Sequence, residues 1–117
     1  MIEVREFQTD EGDAPFANWF DSLSAGGANR VMITLRRMRQ GNLGDHKGVG
    51  EGVLEHRIHD GPGYRIYFGR DGKKLIILLG GGTKKRQQRD IAAAQRLWQH
   101  YKKAKRRTDT DGIDTGL

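Results

Sequence analysis

The chain has 117 residues and a net charge of +6, and 35% of its residues are hydrophobic, which suits one small folded domain. It contains no cysteine, so disulfide frameworks, thiolate zinc sites and cysteine nucleophiles are excluded. The longest apolar run, Leu75 to Leu79, is far shorter than the roughly 20 residues that cross a bilayer. The N-terminus lacks a signal-peptide pattern, and we expect a cytoplasmic protein without membrane contact.

Charge is unevenly distributed along the chain. Residues 1–60 carry 7 Lys and Arg against 10 Asp and Glu, whereas residues 61–117 carry 14 against 5. A strongly basic segment attracts polyanions, although basic surfaces also serve solubility alone. The asymmetry therefore favours a nucleic-acid partner over a neutral or cationic one.

The first forty residues predict one strand and two helices. Ile2 to Phe7 alternates apolar and charged residues, as in a strand. A short helix follows, with Asp13 as its expected N-cap, Pro15 in its first turn and an apolar stripe of Phe16, Trp19, Phe20 and Leu23. A second helix begins after residues 24–27 and ends at Gly41, with an inner face of Ala28, Val31, Leu35 and Met38. Together the two helices predict a helical hairpin.

The rest of the chain predicts four strands and a helix. A short strand near residues 45–49 precedes three longer ones, at Val53–His59, Tyr64–Gly69 and Lys74–Gly80. The last of these is apolar on both faces, so we expect it to be covered on both sides. A final helix is expected after Gly80-Gly81-Gly82, with Thr83 as N-cap and a buried stripe of Ile91, Ala94, Trp98 and Tyr101.

These elements predict an α+β fold in the order β-α-α-β-β-β-β-α, with an antiparallel-rich sheet, a helical hairpin and a C-terminal helix. The folded domain is expected to span residues 1–103. Residues 104–117 are basic, then polar and without periodicity, and we expect a disordered tail.

Two of the predicted strands place polar side chains on one common face. Side chains alternate across a strand, so Leu54 and Ile58 share one face with the apolar residues of the next strand. If these apolar sets pair, the opposite face collects Glu55, Arg57, His59, Arg65 and Tyr67. Two facing guanidinium groups repel each other unless an anion or Glu55 lies between them. This face is the first candidate site, with an ordinary solvated sheet face as the alternative.

A glycine-lysine segment is the second candidate site. Gly80-Gly81-Gly82 is followed by Thr83-Lys84-Lys85-Arg86, which would put cations and free amides at one helix N-terminus. The spacing fits neither a P-loop nor a dinucleotide-binding turn. It predicts a polyanion clamp, and a flexible joint between strand and helix explains it equally well.

The four histidines do not form a metal-binding pattern. His56 and His59 are three residues apart on a strand, so they face opposite ways, and no acidic cluster accompanies them. We expect no metal or other cofactor. His56 is expected to be structural, and His59 is the better candidate for proton transfer because its ordinary pKa lies near neutrality.

Two segments carry a family resemblance. Leu54-Glu55-His56-Arg57-Ile58-His59-Asp60-Gly61-Pro62-Gly63-Tyr64-Arg65-Ile66-Tyr67-Phe68, followed by the glycine-lysine segment and Gln88-Arg89-Asp90-Ile91, resembles the RelE/ParE superfamily of bacterial toxins. The closest resemblance is to its HigB-like branch of phage-derived addiction module killer proteins, over residues 1–103. The resemblance implies a microbial ribonuclease-like fold and a cognate antitoxin, often a helix-turn-helix protein, through which operator DNA is bound.

The resemblance also implies site residues. Arg65 matches the strand arginine that follows a Gly-Tyr pair, and Arg57 and His59 fall near strand positions where relatives carry basic groups. Lys84 matches the basic residue at the last joint between strand and helix. Asp90 lies where HigB-type relatives carry an aspartate and other relatives a tyrosine. Tyr67 matches no family motif and is chosen only for its face of the sheet.

We therefore predict the toxin of a type II toxin-antitoxin module, a metal-independent endoribonuclease that cleaves mRNA on the ribosome and arrests growth. The predicted catalytic residues are Glu55, Arg57, His59, Arg65, Lys84 and Asp90, with His59, Glu55 and Asp90 as alternative bases. Lys85, Arg86, Arg89 and Tyr67 are the predicted RNA contacts. The alternatives are a ParE-like gyrase poison that is not an enzyme, and a degenerate toxin that only binds its antitoxin.

Overall fold

A computed structural model describes the backbone of residues 1–115 and the side chains of residues 1–107. The elements follow the predicted order, with one short additional turn. They are β1 (Glu3–Glu6), α1 (Pro15–Asp21), α2 (Ala25–Arg39), β2 (His46–Gly48), β3 (Leu54–Arg57), β4 (Tyr64–Arg70), β5 (Leu75–Thr83), a 3-10 turn (Lys84–Arg86) and α3 (Gln87–Thr115). The predicted α+β fold is confirmed.

The two N-terminal helices form as their apolar stripes predict, but the cap of the first one differs. The N-cap of α1 is Ala14, with no side-chain cap bond, so the prediction of Asp13 was wrong. The backbone N–H of Asp13 instead donates to Thr9 Oγ1 at 3.0 Å. Helix α2 is capped by Ser24, whose side chain accepts from the amide of Gly27.

The five strands form one mixed sheet in the order β1-β5-β4-β3-β2. Strand β1 pairs in parallel with β5, and the other three pairings are antiparallel. Leu54 lies opposite Phe68 and His56 opposite Ile66, so the apolar sets of β3 and β4 share a face as predicted. The opposite face of these two strands therefore carries the predicted polar residues.

Each face of the sheet is covered by its own apolar core. On one face, Phe16, Val31 and Met38 of the two N-terminal helices pack on the strands, with residues such as Ile66 and Ile76. On the other face, Ala94 and Trp98 of α3 pack with Tyr67, Ile77 and Leu79. Strand β5 contributes to both cores, which confirms the prediction that it is covered on both sides.

The end of β5 and the extent of α3 differ from the sequence prediction. Gly80 to Thr83 belong to β5, so this strand extends beyond its predicted end at Gly80. Thr83 is the N-cap residue of the turn that follows, as predicted, but its side chain makes no cap bond. Three residues of 3-10 turn follow before α3 begins at Gln87. Helix α3 continues to Thr115, into the segment for which the sequence predicts a disordered tail; residues 116 and 117 lie outside the described residues.

Candidate active site

A buried carboxylate lies at the centre of the predicted polar face. Glu55 on β3 is directly opposite Tyr67 on β4, and its side chain has no exposed surface. Its Oε2 accepts hydrogen bonds from the Tyr67 hydroxyl and from Gln87 Nε2, each at 3.0 Å. A buried charge is tolerated only with such partners, and Gln87 at the start of α3 connects the helix to the sheet at this point.

Two arginines flank this carboxylate. Arg57 and Arg65 are cross-strand neighbours, and their Nε atoms lie 3.4 and 3.6 Å from the two oxygens of Glu55. Glu55 is thus the anion that two facing guanidinium groups require. Neither contact has hydrogen-bond geometry, and Glu55 Oε1 and Arg65 Nε have no hydrogen-bond partner among the described residues. Arg65 Nη1 donates to the carbonyl of Gly63 at 3.2 Å, which holds the guanidinium against the hairpin loop.

A small pocket opens beside the two arginines, where β3 ends and the hairpin loop begins. Its volume is about 160 Å³. The residues around it share a position at this end of the sheet: Arg57, Ile58, His59, Pro62, Gly63, Tyr64, Arg65 and Lys84. Four of the predicted catalytic residues, Arg57, His59, Arg65 and Lys84, therefore lie around one cavity.

His59 lies beyond the end of β3 and does not contact Glu55. Its Nε2 lies 2.5 Å from Asp45 Oδ2, and both side chains are more than half exposed. The hydrogen bond with His59 holds the pKa of Asp45 below its ordinary value, so this carboxyl is ionised at neutral pH. An ionised carboxylate therefore contacts the imidazole at the edge of the pocket.

Asp90 is not among the residues that line this pocket, although it belongs to the same face of the sheet. It is in the first turn of α3 and lies against Gly82, where an added Cβ would be 2.0 Å from its Oδ2. It borders a different cavity, together with Gly80 and Gly81. Burial raises the pKa of Asp90, and the nearby Arg86 and Arg89 oppose this effect.

The predicted RNA contacts divide into exposed cations and one buried ring. Lys85, Arg86 and Arg89 are exposed on the 3-10 turn and the first turn of α3, in the vicinity of Lys84. Tyr67 has no exposed surface, so its ring presents no face on which a base can stack. Burial, followed by the hydrogen bond with Glu55, raises the pKa of its hydroxyl far above the ordinary value.

Two of the three glycines near the end of β5 serve close packing. An added Cβ at Gly81 would lie 2.2 Å from the indole of Trp19, and one at Gly82 would meet Asp90. Gly80 has nothing within 4 Å of such an atom. The absence of side chains at two of these positions lets α1 and α3 approach the sheet from opposite faces. Packing therefore accounts for Gly81 and Gly82, and the polyanion clamp expected at the cations that follow them stays a prediction.

Sequence reasoning missed two residues of the site. Gln87 was not predicted because the C-terminal helix was expected to begin earlier. An earlier start would have placed Gln87 at another position around the helix. Asp45 was not predicted because it lies 14 residues from its partner His59, in a segment with no clear pattern. The short strand predicted near residues 45–49, which the structure pairs with β3 as β2, was the indication in the sequence that Asp45 would lie near the hairpin.

No metal centre is formed by the side chains that the structure describes, residues 1–107: no group of three or more His, Asp or Glu is close enough to hold an ion. Within the same part of the chain, no helix combines the length and the apolar character needed to span a membrane.

Comparison with known proteins adds a relative. No family model matches this sequence. A protein of Haemophilus influenzae is 39% identical over 85 residues, which cover 72% of this chain and 86% of the relative. The two proteins belong to one family. The Haemophilus relative is described as an uncharacterized protein, so the argument for function rests on the residues of this chain.

Proposed function

We propose that this protein is the toxin of a type II toxin-antitoxin module and acts as an endoribonuclease on ribosome-bound mRNA. The observation that carries the proposal is the pocket of Arg57, Arg65, Lys84 and His59, with the His59–Asp45 pair at its edge. Cations around a cavity of phosphate size, next to a histidine, are the groups that RNA cleavage through a 2′,3′-cyclic phosphate requires.

The charge around the pocket suits a phosphoryl-transfer transition state. Arg57, Arg65 and Lys84 contribute three positive charges, and the buried Glu55 offsets one of them. Two net positive charges remain to face the two negative charges that develop on a phosphodiester under attack. Arg65 is already held by Gly63 and Glu55, so little reorganisation is needed when the charge develops.

His59 is the base that we favour among the three predicted alternatives. It lines the pocket and is exposed, whereas Glu55 has no exposed surface and Asp90 borders another cavity. A base must lie within hydrogen-bond reach of the proton that it removes. Glu55 is better suited to a positioning role, because it contacts both arginines at once.

The exposed cations beside the pocket suit a partner that supplies the RNA in a fixed geometry. Lys84, Lys85, Arg86 and Arg89 can contact phosphates without reading bases, and Tyr67 is buried. Tyr64 lines the pocket but is only 8% exposed, so its ring offers little surface for stacking, and free single-stranded RNA would be held weakly. We therefore propose that the ribosome orients the 2′-hydroxyl, which is an expensive part of the barrier.

The test presents the purified protein with three targets in separate assays: translating ribosomes, free mRNA, and DNA gyrase with plasmid. We expect cleavage of ribosome-bound message, no cleavage of free message within the same time, and no stalled gyrase complexes. The matched variant is Arg57→Ala, with Arg39→Ala on the exposed end of α2 as control. Loss of cleavage in the control as well, or gyrase poisoning by the wild type, would overturn the proposal.

The antitoxin belongs to the same proposal and is tested separately. A cationic pocket on a toxic enzyme invites a neutralising protein, and the product of the adjacent gene is the candidate, with a helix-turn-helix fold and operator DNA as its own ligand. We expect that product to bind the toxin and to abolish cleavage on ribosomes. Unchanged cleavage in its presence would exclude it as the antitoxin.

A further inference from the structure

The segment before β2 and the end of β3 meet at the edge of the pocket. The backbone N–H of Arg57 donates to the carbonyl of Asp45 at 2.9 Å, which anchors Asp45 beside β3. The Asp45 carboxylate then contacts Nε2 of His59, which follows Arg57 by two residues. The position of the carboxylate is thus set by the backbone of β3, at the residue where that strand ends and just before the chain reaches His59.

The contact at Nε2 determines which nitrogen of His59 is available. A carboxylate accepts hydrogen bonds and donates none, so a neutral imidazole facing it carries its proton on Nε2. Its Nδ1 is then the nitrogen with a free lone pair, and the nearby charge stabilises the imidazolium that forms when this nitrogen takes a proton. The same division of roles is general for a histidine base with a carboxylate partner.

We propose that Asp45 is a positioning residue that fixes the His59 tautomer and makes Nδ1 the base that removes the 2′-hydroxyl proton. This inference rests on the proposed endoribonuclease activity. In the step, Nδ1 takes the proton, the 2′-oxygen forms a bond to phosphorus, and the bond from phosphorus to the 5′-oxygen breaks. The departing 5′-oxygen takes a proton from water, and the other product ends in a 2′,3′-cyclic phosphate.

The surrounding charges support this assignment. Arg57, Arg65 and Lys84 line the same pocket as His59, and each of them disfavours a further positive charge there. Asp45 is the negative group in contact with the imidazole and offsets that repulsion. Without Asp45, the imidazolium would form beside three cations with no anion in contact with it.

The experiment compares Asp45→Ala with Asp10→Ala in steady-state cleavage of ribosome-bound mRNA. Asp10 is a matched control, because its carboxylate faces His100 Nε2 at 3.8 Å on the surface and does not line the pocket. We expect Asp45→Ala to lower kcat about tenfold with KM changed less than about twofold, since positioning the base affects the chemical step. Asp45→Glu should recover most of the rate, and Asp10→Ala should leave it unchanged.

A second measurement separates this inference from the proposed function. Nitrogen NMR of labelled imidazoles at pH 8 reports which ring nitrogen carries the proton, with or without activity. We expect His59 of the wild type to be protonated on Nε2. In Asp45→Ala, we expect His59 to shift toward the mixture of Nδ1-protonated and Nε2-protonated forms that a histidine in water adopts. An unchanged His59 tautomer in Asp45→Ala, or a normal kcat, overturns the inference. A wild type that cleaves no ribosome-bound RNA overturns the proposed function, and with it the catalytic role of Asp45.

Discussion

The substitution Glu55→Gln removes the one negative charge between Arg57 and Arg65 and keeps the shape of the side chain. The amide can still accept from Tyr67, so most of the effect comes from the charge. Arg65 is the more sensitive partner, because only 10% of its side chain is exposed, against 35% for Arg57. Breaking a buried ion pair on one side costs about 3 to 5 kcal/mol, because the remaining charge has no partner.

We expect the low end of this range for Glu55→Gln, about 3 kcal/mol, because Arg57 can turn toward solvent. For a domain of this size the loss corresponds to a fall in Tm of about 10–15 °C. Urea unfolding followed by tryptophan fluorescence measures it, since the buried Trp98 reports on the core next to α3. The control is Glu51→Gln, an exposed carboxylate that accepts from Gln99, for which we expect less than about 0.5 kcal/mol.

A double variant identifies the cause of the loss. If Arg65 without a partner is responsible, Glu55→Gln combined with Arg65→Met should recover at least half of the lost free energy of unfolding, because a buried pair is often replaced by apolar groups without penalty. A single variant within about 1 kcal/mol of the wild type would refute the reasoning that Glu55 holds the two arginines. So would a double variant that is less stable than the single one.

Three further predictions concern packing, pH and the exposed cations. Gly81→Ala forces a methyl group into the indole of α1 and should cost about 1–3 kcal/mol in urea unfolding, whereas Gly80→Ala, with open space, should cost less than half as much. Burial lowers the pKa of His56, so its contribution to the free energy of unfolding is complete above about pH 6.5 and is lost as the pH falls. The free energy of unfolding of the wild type should therefore decline from pH 7 to pH 5, and it should decline less steeply in His56→Asn. Lys84→Gln combined with Lys85→Gln should leave Tm unchanged, because both lysines are exposed, and should weaken ribosome binding and reduce its salt slope by about 2, as measured by sedimentation.

The order of elements was predictable because each has a local cause. The apolar stripes of α1 and α2 and the alternation in β1 are short-range signals. The pairing of β3 with β4 followed from one further step, that the two apolar sets must share a core. This step also predicted that Glu55, Arg57, Arg65 and Tyr67 would share the opposite face.

The local structure of the glycine segment was not predictable, because two physical causes lead to glycine at such positions. Glycine serves a backbone that approaches an anion, and it equally serves a strand against which a large side chain packs. The choice between these causes depends on Trp19, about sixty residues away in sequence, which lies on Gly81 in the fold. No local pattern contains that contact, so the start of α3 was placed too early and the lysines were assigned to a helix that begins after them.

The candidate site shows the same division between what is local and what is not. The sequence gives the residues of a strand face, but it does not give the depth at which each one lies. Glu55 and Tyr67 are covered because α3 lies over them and Gln87 reaches the carboxylate, whereas Arg57 and His59 lie near the open end of the sheet. Depth separates the roles: a buried carboxylate can orient two arginines but cannot touch a substrate, and an exposed histidine can touch a substrate but needs a partner to orient it. The proposed mechanism assigns these two tasks to Glu55 and to the His59–Asp45 pair, and each assignment rests on burial and contact that only the fold provides.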